Sequence, residues 1–310
     1  MNVVLAGGSG LLGRAICDAL LAAGHEPVVL TRDPRETSRL PAGVRAVAWD
    51  PPESGDWAAE LADANAVINL AGESIGRWPW TSRRKTVLLE SRRQATRALV
   101  EAVGGLPTEN RPAVFLSASG TDLYEGRDAE PADESTPPAD TFLSRLCLAW
   151  EAEAIRAEVL GLRVVLMRTS PVMAPGAPVL RVLSLPFRLF VGGRLGSGRH
   201  WMSWVDIADA VGLYLWALES PTISGPINVT APDPRRQSDF ARALAAALHR
   251  PSWFPTPAWV VRLVLADQAT LALGSRRVWP ARALASGYAF RRPKLEDSLT
   301  HAFEGRSALR

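Results

Sequence analysis

The chain opens Met1-Asn-Val-Val-Leu-Ala-Gly7-Gly-Ser-Gly10-Leu-Leu-Gly13. A short apolar strand runs straight into Gly-x-x-Gly-x-x-Gly, and an apolar helix follows at once. This order is that of a dinucleotide-binding βα turn. Gly7 lets the chain turn tightly, Gly10 lets the backbone approach a pyrophosphate, and Gly13 lets the helix pack close to the strand. The helix N-terminus turns its free N–H groups toward the phosphate charge. Ser9, Leu11 and Leu12 belong to the same turn and join the expected cofactor set.

Hydrophobic runs after this turn alternate between strand and helix. Strands are predicted at residues 2–6, 27–31, 44–49, 66–70, 113–118 and 163–168. Helices are predicted at 11–23, 81–103 and 141–160, with Gly24 closing the first. Residues 121–140 are polar and contain proline, and they read as a surface loop. Strands alternating with helices imply a parallel sheet covered on both faces. The fold class is therefore α/β, a Rossmann-type doubly wound parallel sheet. After Pro171 the pattern becomes mixed, with helices at 205–219 and 237–249 and a strand at 227–229. A smaller C-terminal α+β substrate lobe is expected there. The division is 1–170 for the nucleotide domain, with part of 200–230 completing its sheet, and 171–310 for the lobe. A distinct segment begins at about residue 251.

The tip of the second strand selects the nucleotide. It reads Val29-Leu30-Thr31-Arg32, with no carboxylate to bind a ribose diol. Arg32 instead offers a planar fork suited to a 2′-phosphate, so NADP(H) is expected over NAD(H). Arg35 and Arg39 add charge nearby. Trp49 and Asp50 are placed to border the adenine. Leu70, Ala71, Gly72 and Glu73 close the fourth strand, where small residues let the cofactor lie against the sheet edge. Ser117 and Arg168, near the ends of the next two strands, complete the expected cofactor site.

Composition narrows the partners. Net charge is +3, carried almost wholly by arginine. Arg77, Arg83, Arg84, Lys85, Arg92, Arg93 and Arg97 cluster, with Glu90 among them; a solvated helix face is expected rather than a nucleic-acid site. No run of eighteen apolar residues occurs, so no membrane contact is expected. The N-terminal strand lacks a basic leader, so a cytoplasmic location is expected. Two cysteines, Cys17 and Cys147, cannot make a disulfide framework. No metal site is expected. The expected partner is a small-molecule substrate, and a monomer or a homodimer is expected.

Together these residues resemble the short-chain dehydrogenase/reductase superfamily, in its extended branch of sugar-nucleotide epimerases and dehydratases. A narrower resemblance is to the atypical epimerase family, sometimes labelled SulA-like. It rests on Val67-Ile-Asn-Leu-Ala-Gly-Glu73, Arg77-Trp78, Lys85 with Ser91-Arg92, Trp150-Glu151 and Leu185-Pro-Phe-Arg188. Gly192-Gly193, Gly196-Ser-Gly-Arg-His-Trp-Met-Ser-Trp204 and Gly287-Tyr288-Ala-Phe290 extend it. The resemblance implies an NADP(H)-binding Rossmann domain and a small C-terminal domain of poorly known purpose.

One departure from the superfamily pattern is complete. Its members generally use Tyr-x-x-x-Lys, the tyrosine moving a proton and the lysine lowering its pKa. The three tyrosines here, Tyr124, Tyr214 and Tyr288, have Asp128, Leu218 and Arg292 four residues on. Aligned on Trp150-Glu151, the tyrosine and lysine places fall near Leu143 and Cys147. Candidate catalytic groups are therefore Ser119 (or Ser117) to polarise a carbonyl, Tyr124 from the following loop, and His200. The loop at 196–206 supplies the expected substrate contacts. Arg199 would bind an anion and His200 would titrate near neutrality. Trp201 and Trp204 would wall an apolar body, while Asp206 could equally cap the next helix. Three readings stay open: an NADP(H)-dependent oxidoreductase of atypical mechanism, a non-catalytic NADP(H)-binding regulator or assembly partner, and a nucleotide-sugar epimerase or dehydratase.

Overall fold

A computed structural model describes residues 1–35, 40–51 and 55–304. In chain order, β1 (Asn2–Ala6) leads into α1 (Leu11–Ala22), β2 (Glu26–Thr31) and β3 (Arg45–Ala48). The short α2 (Ala59–Ala62) precedes β4 (Ala66–Asn69), and the long α3 (Ser82–Gly104) precedes β5 (Val114–Gly120). Then come β6 (Arg127–Ala132), α4 (Phe142–Ile155) and β7 (Arg163–Thr169). The second half holds β8 (Val172–Met173), α5 (Pro178–Arg188), β9 (Trp201–Met202), β10 (Val205–Asp206), α6 (Ile207–Glu219), β11 (Gly225–Val229), β12 (Arg235–Arg236) and α7 (Gln237–Ala247). It ends with α8 (Ala258–Leu265), α9 (Ala269–Leu273), β13 (Arg276–Val278), α10 (Ala281–Ala285) and α11 (Leu295–Glu304).

Seven parallel strands form the central sheet in the order β11-β7-β5-β4-β1-β2-β3. The chain steps outward from β1 to β3, then returns to β4 on the other side of β1. This reversal leaves a crevice at the strand ends, where such sheets bind ligands. Alternation along β1 explains the double covering. Val3 and Leu5 pack with Ile16, Leu20 and Leu213 on one face, whereas Val4 and Ala6 pack with Leu99, Val103 and Ala154 on the other. Each fully buried aliphatic side chain contributes about 1.5–3 kcal/mol. β11 joins the sheet beside β7.

The helix ends follow local chemistry. Thr81 Oγ1 accepts from Arg84 N to cap α3, and Thr141 Oγ1 accepts from Ser144 N to cap α4. Asp206 caps α6 through Ala208 N at 2.8 Å, so its carboxylate is structural. The same carboxylate accepts from Ser298 Oγ and Arg292, which ties α11 and the preceding loop to the start of α6.

The expected surface loop at 121–140 is corrected. It begins with a 3-10 turn over Thr121–Tyr124, and β6 then pairs with β13. Leu123, Tyr124 and Ala132 are buried with Trp80, Leu143, Cys147 and Val278 in a core of their own. The partner strand lies far along the chain, which is why the segment looked polar and unpaired. The predicted helix 141–160 is likewise α4 followed by a 3-10 turn to Leu160, closed by Gly161 at φ +91°.

Candidate functional site

The strand-end crevice is a cleft of about 370 Å³. Its floor is the glycine turn. Gly7 has φ +77°, and a Cβ there would lie 3.0 Å from the Leu70 and Ala71 backbone. A Cβ on Gly13 would lie 2.6 Å from the Gly8 backbone, so Gly13 sets the contact between α1 and the turn. Gly10 differs: its Cβ would meet only Gly7 O, at 3.4 Å, leaving its outer side open to a ligand. Gly10 is also the N-cap of α1 and has no side chain to satisfy the first-turn amides of Leu11, Leu12 and Gly13. No acidic residue occupies that turn. The site therefore presents a bare helix terminus, with the partial positive charge that suits a phosphate. Arg14 Nη1 donates to Ser9 O at 2.8 Å and pins the turn from behind.

Around this floor the cleft is lined by Gly7, Ser9, Gly10, Thr31, Arg32, Trp49, Asp50, Leu70, Ala71, Gly72 and Glu73, all drawn from the expected set. Arg32 and Asp50 are exposed at its mouth. Arg35 is exposed but is not among the residues lining the cleft, and Arg39 lies outside the described residues. Trp49 is buried against Trp57, and its indole N–H has no hydrogen-bond partner among the described residues. Asn69 fixes the loop after β4, accepting from Ala71 N and donating to Thr96 Oγ1. Glu73 accepts from Ser74 N and faces Arg84 and Arg77. Burial raises its pKa, but these partners outweigh burial and hold the carboxyl below its ordinary range. Sequence reading missed Ser91, Gln94 and Ala95, which line the cleft from α3. Their spacing of three and four residues on one helix face was the available signal.

The basic cluster is mostly tied down. Arg84 pairs with Glu73, Lys85 with Asp267, Arg93 with Glu90, and Arg97 with Glu153. Arg92 is buried, donates to the Glu73 and Leu88 carbonyls, and stacks its guanidinium 5.0 Å from the Trp150 ring centre.

Arg168, expected to touch cofactor, is engaged elsewhere. Its guanidinium forms a two-pronged pair with Glu151, both contacts at 2.8 Å, and donates to Tyr124 Oη. Tyr124 Oη in turn donates to Asn228 Oδ1 at 3.1 Å. Ser119 Oγ donates to Glu151 Oε1 at 2.7 Å. Tyr124 is wholly buried rather than presented by a surface loop, and desolvation, partly offset by Arg168, pushes its pKa up to about 12. Ser119 has its proton committed to Glu151. Ser117 is buried at the strand end, with a long 3.4 Å contact to Ala118 O. At the dyad positions, Leu143 and Cys147 are both buried, and burial pushes the Cys147 thiol up to about 12.

None of Arg199, His200, Trp201 or Trp204 lines the cofactor cleft. Trp204 is corrected from a substrate wall to core: it is fully buried beside Phe187 and Phe240, and its indole donates to Asp233 O. Trp201 is half-buried between the guanidiniums of Arg236 and Arg277, 4.0 and 4.4 Å from its ring centre. Arg199 is exposed, His200 is half-buried, and Ser203 Oγ bridges Arg276 O and Val278 N.

A parallel sheet with a glycine turn and bare helix terminus at its reversal point defines a dinucleotide-binding α/β protein of the extended short-chain dehydrogenase/reductase fold. The chain belongs to the NAD dependent epimerase/dehydratase family, which matches residues 3–229, and residues 256–302 match a domain of unknown function, DUF1731. Epimerase family protein YfhF of Bacillus subtilis is 33% identical over 312 residues, covering 100% of both chains. The crystal structure of human epimerase family protein SDR39U1 with NADPH superposes with a TM-score of 0.84 at 31% identity, over 98% of this chain and 99% of that one. UDP-glucuronic acid 4-epimerase from Bacillus cereus shares the fold, with a TM-score of 0.79 at 17% identity over 100% of both chains.

Proposed function

We propose that the cleft binds NADP(H) and that the chain is an atypical short-chain dehydrogenase/reductase, an oxidoreductase acting on a small carbonyl or alcohol. The observation that carries the reading is the bare α1 terminus over Gly10, opening into a cleft with Arg32 at its mouth. The NADPH complex of the human relative supports it. The residues fit the group. The first-turn amides would hold the pyrophosphate, Arg32 the 2′-phosphate, and Trp49 and Asp50 would border the adenosine end. NADP(H) supplies the hydride donor or acceptor when bound. The chain's own part is to hold it, exclude water with Leu70 and Ala71, and keep the strand ends rigid through the Glu151–Arg168 pair. Tyr124 is too deeply buried to trade protons with a substrate and His200 lies outside the cleft, so water is the proton carrier in this reading.

A non-catalytic NADP(H)-binding role is the second reading. It is favoured by the buried Leu143 and Cys147 at the dyad positions, together with the engaged hydroxyls of Ser119 and Tyr124. Calorimetry should give NADPH an affinity about ten- to a hundredfold above NADH, since a charge-assisted phosphate contact is worth roughly 1.5–3 kcal/mol. Arg32→Ala should erase that preference; equal affinities in the parent chain would refute the site. NADPH oxidation across a panel of carbonyls then separates the enzyme from the binder.

A further inference from the structure

Two stretches of the C-terminal half, residues 169–205 and 240–266, contain no acidic residue. They carry the most exposed large apolar side chains of the lobe. Leu189 and Phe190 follow α5, Trp253 and Phe254 precede α8, and Trp259 and Leu263 share one face of α8. Exposures of 71% for Trp253, 66% for Trp259 and 76% for Leu263 put these groups in solvent, not at the edge of a core. The two stretches are zipped together. Trp253 Nε1 donates to Phe190 O at 2.9 Å, Phe254 N to Gly192 O at 3.1 Å, and Thr256 N to Arg194 O at 2.9 Å. Several exposed large apolar groups on two paired stretches point to an interaction site.

Charge decides what it meets. Arg188, Arg194, Arg250 and Arg262 are exposed on the same segments, and the Arg250 guanidinium sits 4.8 Å from the Phe190 ring centre. The acids that bound these stretches in sequence are engaged: Asp206 caps α6, Asp239 pairs with Arg242, and Asp267 pairs with Lys85. The rim is left positive, so a second copy of the chain would bring arginine against arginine. Protruding indoles and aliphatic groups with an arginine rim match a soft anionic interface, where rings sink to headgroup depth and guanidiniums stay among the phosphates. Such a surface needs no matching relief, unlike an acidic protein partner. We propose that this face docks the chain onto an anionic phospholipid bilayer. The contact is peripheral, because no helix among the described residues is long and apolar enough to cross a membrane. It revises the expectation of no membrane contact, which rested only on the lack of a spanning run.

The test is sedimentation of the full chain with vesicles of phosphatidylcholine alone or mixed with phosphatidylglycerol. The parent should bind the mixed vesicles at least about tenfold more tightly, as expected for several arginines near a charged surface. Trp253→Ser with Trp259→Ser and Leu263→Ser should abolish binding. Arg188→Gln with Arg250→Gln and Arg262→Gln should remove the preference for phosphatidylglycerol. NADPH affinity in the same samples reports on the fold and should not change; its loss in the parent would strike the cofactor reading and leave this one standing. Failure to bind anionic vesicles, binding that survives both triple changes, or a dimer in ultracentrifugation that the serine variant dissolves would each overturn the proposal.

Discussion

The glycines of the first turn do different work, and substitution separates them. A Cβ on Gly13 strikes the Gly8 backbone, whereas a Cβ on Gly10 points into open cleft. Gly10→Leu should therefore keep the parent's Tm and lose NADPH binding in calorimetry, while Gly13→Leu should fail to give a folded chain at all. The Glu151–Arg168 pair is the other residue-scale determinant. Both side chains are buried, and removing one charge strands the other. Glu151→Gln should cost about 3–5 kcal/mol in denaturant unfolding. Ser119 and Tyr124 were legible as polar groups near a strand end. That they belong to this network was not, because Tyr124 and Asn228 are 104 residues apart in sequence.

Among the elements, α1, α3, α4, α6 and α7 were legible because their starts are written locally. Thr81 was read as the start of α3, and it is the N-cap of that helix. Thr81→Ala should cost about 1 kcal/mol, read as a lower Tm with unchanged cofactor affinity. Central strands were legible because apolar runs covered on both faces leave few alternatives. β6 was not. It is short, carries Asp128, Glu130 and Pro131, and is a strand only because β13 pairs with it from the far end of the chain. The two-residue strands β9 and β12 are of the same kind, each defined only by its partner.

For the whole molecule, acid should be destabilising. Glu153 is pulled up by burial, but Arg97 and Arg156 outweigh that and hold it below its ordinary range. Asp133 is lowered by the Ser135 hydroxyl, and Glu60 by Arg45. For these groups the unfolded chain takes up protons first. Their stabilisation is complete above the ordinary carboxylate pKa of about 4 and is lost as pH falls through the lower folded values. Glu134 and Asp209 act oppositely, since burial raises both and ionisation costs stability that returns on protonation. The lowered group is larger, so Tm should fall between about pH 5 and pH 3. Glu153→Gln should flatten that fall; a Tm that rises on acidification would contradict the balance.

By itself the sequence determined the nucleotide turn, the parallel α/β sheet, the strand tip bearing Arg32 and the absence of a Tyr-x-x-x-Lys pair. Each is a short-range pattern whose physics is complete within a few residues: φ freedom, strand and helix periodicity, and the charge at one position. The tertiary structure alone decided which polar groups stay free. It buried Tyr124, bound Ser119 and Arg168 to Glu151, turned Trp204 into core, and left Trp253 and Trp259 in solvent. Burial and pairing depend on what distant segments bring to a site, and no local pattern encodes that.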